Sequence, residues 1–154
     1  MNKSVDEIIE TINQDLREVL LAAKIGIKDI WFSEKLKVAP SYPAVQCQIE
    51  STERNELQVN HYNKIGWDLN YLIKCYFTGT EGPLTLKNAQ RFVNKVENSL
   101  DEQIRPGKRL NNHCFTLECT KMEYGEVALE LIEPVMVTGG VILLNIKIFQ
   151  DRLN

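Results

Sequence analysis

The side chains best suited to chemistry in this sequence are two histidines and four cysteines: His61, His113, Cys47, Cys75, Cys114 and Cys119. A structural zinc site needs four ligands, which usually come in closely spaced pairs. His113 and Cys114 are adjacent on a predicted strand, so their side chains point to opposite faces and cannot chelate one ion. The spacing therefore predicts no metal site.

The cysteines are better explained by packing than by catalysis. All four lie in strand-like stretches, and none belongs to a Cys-x-x-Cys pair. A thiol nucleophile needs a lowered pKa and an orienting base, and the sequence indicates neither. We expect four reduced, partly buried thiols in a protein of the cytoplasm.

The acidic residues also do not indicate a catalytic pair. Asp68 and Asn70 share one face of a predicted strand, and we interpret that face as solvated. Glu118 and the glutamates between 126 and 133 are interpreted as outward strand positions. No phosphate-binding loop, dinucleotide fingerprint or nucleophile elbow occurs, and Gly139-Gly140 is interpreted as a turn. The sequence thus predicts no cofactor, and we expect that the protein is not an enzyme.

The stretch from Trp67 to Phe77 is the element around which the chain is organised. Its residues alternate strictly, which is typical of a strand because side chains point to opposite faces with period two. One face carries Trp67, Leu69, Tyr71, Ile73, Cys75 and Phe77. The other carries Asp68, Asn70, Leu72, Lys74 and Tyr76. Apolar Leu72 and Tyr76 indicate that the second face is not simply solvated.

Two amphipathic helices can cover the apolar face of this strand. Ser4 and Glu7 form a capping box before a helix from Val5 to about Lys24, which Gly26 ends. A second helix is predicted over 85–104 and is closed by Pro106-Gly107.

The remaining strands are shorter. They are predicted at 27–32 with a possible continuation at 36–38, then at 44–50, 114–122, 126–132 and 141–149, with loops at 51–66 and 133–140. A connection as long as 51–66 is usually functional or a long hairpin arm. This order predicts an α+β fold, with two helices packed on one face of a mainly antiparallel sheet.

Length and charge narrow the function. The 154 residues suit a single domain over 1–154, and 44% apolar with 25% charged residues is ordinary for a folded globular protein. The net charge of −3 does not favour a nucleic-acid groove or an anionic membrane as partner. The longest apolar run, at 141–144, is too short to span a bilayer, and the charged amino terminus predicts no secretory leader.

The layout resembles the tail terminator, or tail completion, proteins of long-tailed bacteriophages. The resemblance runs from the first helix to the last strand. It includes Ser-Tyr-Pro-Ala-Val at 41–45, a polar loop after that strand, the long strand at 67–77, the helix at 85–104 and the final apolar strand at 141–149.

The resemblance implies a virion structural protein that is assembled in the host cytoplasm and located at the head-proximal end of the tail. It implies a six-membered homo-oligomeric ring, a hexamer, that ends tube polymerisation and offers a docking face to head connector or neck proteins. Its partners would be other copies of itself and the tail tube protein, and DNA would pass through the lumen without specific binding.

Apolar side chains at otherwise polar positions are the expected assembly contacts: Leu57, Val59, Tyr62, Ile65, Leu72 and Tyr76. We expect the 51–66 loop to be mobile in the free protein and to become ordered when rings form. The alternative for these residues is packing within the chain. Two other functions stay open: a neck or head-completion protein, and a small α+β ligand-binding module or enzyme with a pocket under this loop.

Overall fold

The computed structural model describes residues 3–55, 64–78 and 83–151. It contains two long helices and five strands: α1 (Val5–Ala22), β1 (Asp29–Trp31), β2 (Ala44–Arg54), β3 (Lys64–Thr78), α2 (Pro83–Asp101), β4 (Thr116–Leu129) and β5 (Val135–Asp151). A 3₁₀ turn (Glu102–Ile104) and a left-handed turn (Arg109–Asn112) connect α2 to β4. The predicted α+β class is confirmed.

The five strands form one sheet in the order β1-β2-β3-β5-β4. The β1–β2 pair is parallel, and the other three pairs are antiparallel. The stretch from 67 to 77 lies within β3, which pairs with β2 on one side and with β5 on the other. The sequence therefore identified the central strand correctly.

Both helices begin or end close to the predicted positions. The Ser4 hydroxyl accepts a hydrogen bond from the Glu7 amide at 3.2 Å and caps α1 as the sequence predicted. Helix α1 ends at Ala22, and α2 with its 3₁₀ turn ends at Ile104. No helix in the three described ranges combines the length and apolar character that crossing a membrane requires.

One face of the sheet, the helix-covered face, packs against both helices. Ile73 of β3 and Ile142 of β5 lie fully buried there, together with Leu16 of α1 and Val96 of α2. Phe77 is half-buried, and its ring centroid lies 6.0 Å from that of Phe92. This agrees with the predicted apolar face of the central strand.

A second, smaller core lies on the opposite face at one end of the sheet. It consists of Trp31, Ala44, Tyr76, Val127, Leu129 and Val137. The rings of Trp31 and Tyr76 stack with centroids 5.6 Å apart, and the Tyr76 hydroxyl donates to the Ala128 carbonyl at 3.0 Å. The rest of this face, which we call the open face, carries Asp68, Asn70 and Leu72 of β3 and Leu143, Asn145 and Lys147 of β5.

Several predicted boundaries in the second half of the chain are wrong. The strands expected at 114–122 and 126–132 are one continuous strand, β4, and residues 135–140 of the expected loop belong to β5. Gly139 and Gly140 lie inside the sheet, at two positions where neighbouring atoms leave no room for a side chain. A Cβ at Gly139 would lie 1.8 Å from the Cys75 carbonyl oxygen, and one at Gly140 would lie 2.5 Å from the Glu123 carbonyl oxygen.

The first half of the chain needs two smaller corrections. The strand expected at 27–32 is limited to Asp29–Trp31, and residues 36–38 are not in a strand. The ends of the expected loop at 51–66 belong to strands, since Ser51–Arg54 continue β2 and pair with Asn70–Trp67. Residues 64–66 begin β3 and pair with β5.

Candidate assembly surfaces

The open face carries two neighbouring sets of hydrogen-bonded polar side chains, which together we call the polar network. The Asn70 amide donates to Ser51 Oγ at 3.0 Å and accepts from the Asn145 amide at 2.9 Å. Two residues further along β3 and β5, Lys147 Nζ donates to Asp68 Oδ1 at 2.8 Å. These side chains are half-buried. The expected solvated face is therefore corrected to an ordered polar surface that spans β2, β3 and β5.

This network borders a groove of about 430 Å³ on the open face. The side chains along it carry charges of both signs and include Glu50, Glu118, Thr120, Leu143, Asn145 and Lys147. Leu143 lies directly opposite Leu72 in the β3–β5 pair, and both are half-buried. The open face thus combines a neutralised ion pair, amides and one apolar pair.

Both sides of the sheet end in long strand edges. Strand β4 pairs with β5 and has no second strand partner in the described part of the chain. On the other side β1 pairs only with Ala44–Gln46, so β2 from Cys47 to Arg54 has one strand partner within the same ranges. Such edges present backbone N–H and C=O groups that can pair with another chain.

The predicted assembly residues are placed differently by the fold. Tyr76 is 0% exposed in the second core, so it packs within the chain and its assignment to an assembly surface is wrong. Leu72 is half-buried on the open face, and Ile65 is half-buried near the start of β3. Leu57, Val59 and Tyr62, like His61, lie outside the described residues. Their assembly role stays a prediction.

A further apolar surface lies between β4 and β5. We call residues 130–136 the hairpin tip. Ile132 is 90% exposed and Met136 is 52% exposed. Around them, Glu126, Glu130 and Glu133 are also exposed. The available signal was the apolar pair Leu131-Ile132 between Glu130 and Glu133, because apolar residues in a short connection have little core to join.

A buried carboxylate is the second feature that the sequence did not reveal. Asp15 is an acidic residue of α1, yet it is 3% exposed. Its carboxylate contacts His113 Nδ1 at 2.5 Å and accepts from the Asn111 amide at 2.8 Å. Its spacing was a usable signal, because Asp15 lies three residues after Ile12 and four before Val19, on the apolar stripe of the helix.

This carboxylate anchors an unusual backbone. Arg109, Leu110, Asn111 and Asn112 all have positive φ, between 43° and 62°, so the chain makes one left-handed turn. L-residues disfavour this conformation by about 1–2 kcal/mol each. The buried Leu110 side chain, the Gln103 side chain that accepts from the Leu110 amide, and the contacts of Asn111 and His113 with Asp15 hold the turn.

The reactive side chains are arranged for packing. Burial raises the pKa of Cys47 to about 12 despite the nearby charge of Arg17, and burial likewise raises the pKa of Cys114 to about 12. The Cys114 thiol donates to the Arg109 carbonyl, while His113 contacts Asp15. All four cysteines are free, as predicted. Within the described ranges, no three His, Cys, Asp or Glu side chains are grouped to hold a metal ion.

Comparison with models of known protein families finds no match for this chain, and comparison with curated proteins finds no significantly similar sequence.

Proposed function

We propose that this protein is a virion structural protein that forms a ring at the end of a phage tail tube, stops tube growth and presents a docking surface for the head connector. The observation that carries the proposal is the one-sided sheet. Both helices pack on one face, while the open face keeps a polar network around Asp68, Asn70 and Lys147. A subunit built in this way suits the wall of a channel.

In such a ring the helices would face outward and the open face would line the lumen. The Lys147–Asp68 ion pair neutralises both charges, and the neighbouring Asn70 and Asn145 side chains are uncharged. Tight binding of a nucleic-acid backbone requires several cationic side chains aligned with the phosphates. The groove on the open face is also lined by Glu50 and Glu118, so its charges are mixed, which is compatible with DNA that passes through without specific binding.

A ring also requires unlike surfaces on one subunit, because head-to-tail contacts join two different patches of the same chain. The edges of β2 and β4 lie on opposite sides of the sheet, and the two ends of β4 carry different side chains. The two sheet edges, or the two ends of β4, could each provide a pair of unlike surfaces, which supports assembly into a closed ring.

The test is a tube-length assay with a purified phage tail tube protein that polymerises in vitro. Tubes are polymerised with and without the protein, and their lengths and ends are measured by negative-stain electron microscopy. We expect capped ends and an arrest of growth at substoichiometric amounts of protein. Tubes that grow to the same length with and without it would contradict the proposal. Binding to purified heads but not to tubes would favour the neck protein instead.

A second arm tests the predicted assembly residues Leu57, Val59 and Tyr62. A variant in which 56–63 is replaced by a tight turn should fold, because β2 and β3 remain paired up to Arg54 and Trp67. We expect this variant to lose capping. Val38→Ser is the control, since Val38 is exposed and lies outside the arm. Normal capping by the shortened variant would show that residues 56–63 are not needed for assembly.

A further inference from the structure

Two oppositely charged segments lie at the two ends of β4. The segment 103–113, which we call the basic turn, contains Arg105, Lys108 and Arg109 and no acidic residue. The segment 125–140, which includes the hairpin tip, contains Glu126, Glu130 and Glu133 and no basic residue. This separation of charge is local, because the chain as a whole has a net charge of only −3.

Each charged segment is accompanied by exposed apolar side chains. Ile104 and Phe115, before and after the left-handed turn, are 43% and 45% exposed. At the hairpin tip Ile132 and Met136 are more exposed still. Apolar surface rimmed by charge is typical of protein contact sites, in which the apolar part supplies affinity and the charges supply specificity.

These two segments cannot satisfy each other within one chain. Strand β4 separates them with 14 residues, which corresponds to about 45 Å along the strand. Lys108 contacts Glu102 at 3.5 Å, and both side chains are about half exposed. Such an exposed ion pair contributes little to stability, and it does not involve Arg105 or Arg109. The two segments therefore do not meet within one chain, and each stays accessible for contact with another molecule.

We infer that the hairpin tip of one copy docks on the basic turn of the next copy, with Ile132 against the apolar surface and Glu130 and Glu133 facing the arginines and Lys108. The occupant is a second copy of this chain because both halves of the contact are present on it and are complementary in charge. Such a contact is head-to-tail, so it closes into a ring if the rotation between copies permits. The inference deepens the proposed function and rests on it for the meaning of the ring.

The structure of the basic turn explains why it can act as a receptor surface. Asp15 lies beneath it and binds Asn111 and His113, so the left-handed backbone is held to α1. A surface that is ordered before binding loses less conformational entropy on association. The tip is likewise part of an extended β4–β5 ladder, in which Leu129 pairs with Val135.

The experiment uses two charge-reversal variants of the full chain. The tip variant is Glu130→Lys/Glu133→Lys, and the turn variant is Arg105→Glu/Lys108→Glu. In each variant alone the tip and the turn carry the same sign, so we expect self-association in analytical ultracentrifugation to weaken about tenfold or more. In an equal mixture every tip faces a turn of opposite charge, and association should return to nearly the level of the unchanged protein.

The apolar part is tested by Ile132→Ser, with Leu86→Ser as a matched control. Leu86 is 46% exposed on α2 and lies outside both segments. We expect Ile132→Ser to weaken association about tenfold, since loss of a buried apolar anchor commonly weakens an interface by this much. Leu86→Ser should leave association unchanged. Thermal unfolding of every variant verifies that the fold is intact.

The outcomes separate the inference from the proposed function. The tip-to-turn contact is wrong if the unchanged protein does not self-associate, or if association in the mixture does not recover. It is also wrong if the charge-reversal variants associate as strongly as the unchanged protein, which is the result expected if the edges of β2 and β4 pair instead. Recovery in the mixture supports the contact. Capping of tubes is measured on the same samples, so a protein that recovers association but never arrests growth retains the contact and loses the proposed function.

Discussion

His113 Nδ1 lies 2.5 Å from Asp15 Oδ2, although the two residues are 98 positions apart in the chain. The carboxylate is nearly inaccessible, whereas the imidazole is 45% exposed. This contact fastens the segment that precedes β4 to the first helix. His113 therefore has a structural role, which is to hold this segment against the Asp15 carboxylate.

Replacement of this histidine should destabilise the fold. His113→Ala leaves the buried Asp15 carboxylate with the Asn111 amide alone, so we expect a loss of about 1–3 kcal/mol in the free energy of unfolding by urea. Glu18→Ala is the control, because Glu18 is exposed and lies 3.4 Å from the same Asn111 amide; it should change stability by about 0.5 kcal/mol or less. If Asp15→Ala and His113→Ala are strictly additive in the double variant, the two residues are not coupled.

Neighbouring residues on β3 should respond according to the face on which they lie. Ile73 is 0% exposed on the helix-covered face, so Ile73→Ala should cost about 2–5 kcal/mol. Leu72 is half-buried on the open face, and Leu72→Ala should cost about 1 kcal/mol. Denaturant titration of both variants measures the difference. Equal losses would mean that the two faces are covered alike.

Tyr76 should behave as a core residue. Tyr76→Phe removes the hydroxyl that donates to the Ala128 carbonyl at 3.0 Å, and we expect a loss of about 1 kcal/mol in unfolding free energy. The control is Tyr124→Phe, in which an exposed hydroxyl bonded to Asn94 is lost and water can replace it. Because Tyr76 has no exposed surface, its replacement should not alter self-association. A variant of normal stability with weakened association would restore it to the assembly surface.

Gly139 should not tolerate a methyl group. The Cβ of Gly139→Ala would meet the Cys75 carbonyl oxygen at 1.8 Å, and because this atom belongs to the paired strand the ladder must distort. We expect a cost of about 3 kcal/mol or more. At Gly107, with φ +88°, a Cβ has no neighbour within 4 Å, so Gly107→Ala should cost only the local strain, about 1–2 kcal/mol. The reverse order of the two melting temperatures would contradict this account.

The buried thiols predict a loss of stability in alkaline solution. Burial raises the pKa of Cys47, Cys114 and Cys119 to about 12, from an ordinary value of 9.0. A group whose pKa is higher in the folded state stabilises that state fully below its unfolded value and loses this contribution as the pH rises towards the folded value. We therefore expect the contribution of these thiols to fall between about pH 9 and 12.

Urea titrations between pH 7.5 and 11.5 measure this dependence. Thiol labelling at pH 8 is the companion measurement, and the cysteines should react only at the rate of unfolding. Rapid labelling of two or more cysteines in the folded protein would contradict their burial. Replacement of Cys47 by Ala should reduce the alkaline loss, since this variant has one thiol fewer to ionise.

The sequence by itself determined the elements whose signals are local. Strict alternation from Trp67 to Phe77 identified the central strand, and the Ser4–Glu7 capping box with apolar spacing identified α1, because side-chain direction and helix capping depend on residues only two to four positions apart. From these elements followed the α+β class and the face that the helices cover.

Only the tertiary structure decided the features that depend on distant contacts. Gly139-Gly140 has the composition of a turn, yet the Cys75 and Glu123 carbonyl oxygens require glycine at these two positions inside a strand. Asp15 is an acidic residue and Tyr76 lies on the polar side of its strand, yet each is buried because a partner from elsewhere in the chain, His113 or Trp31, lies against it. A local pattern records which side chains share a face, but which face meets another element depends on the path of the whole chain.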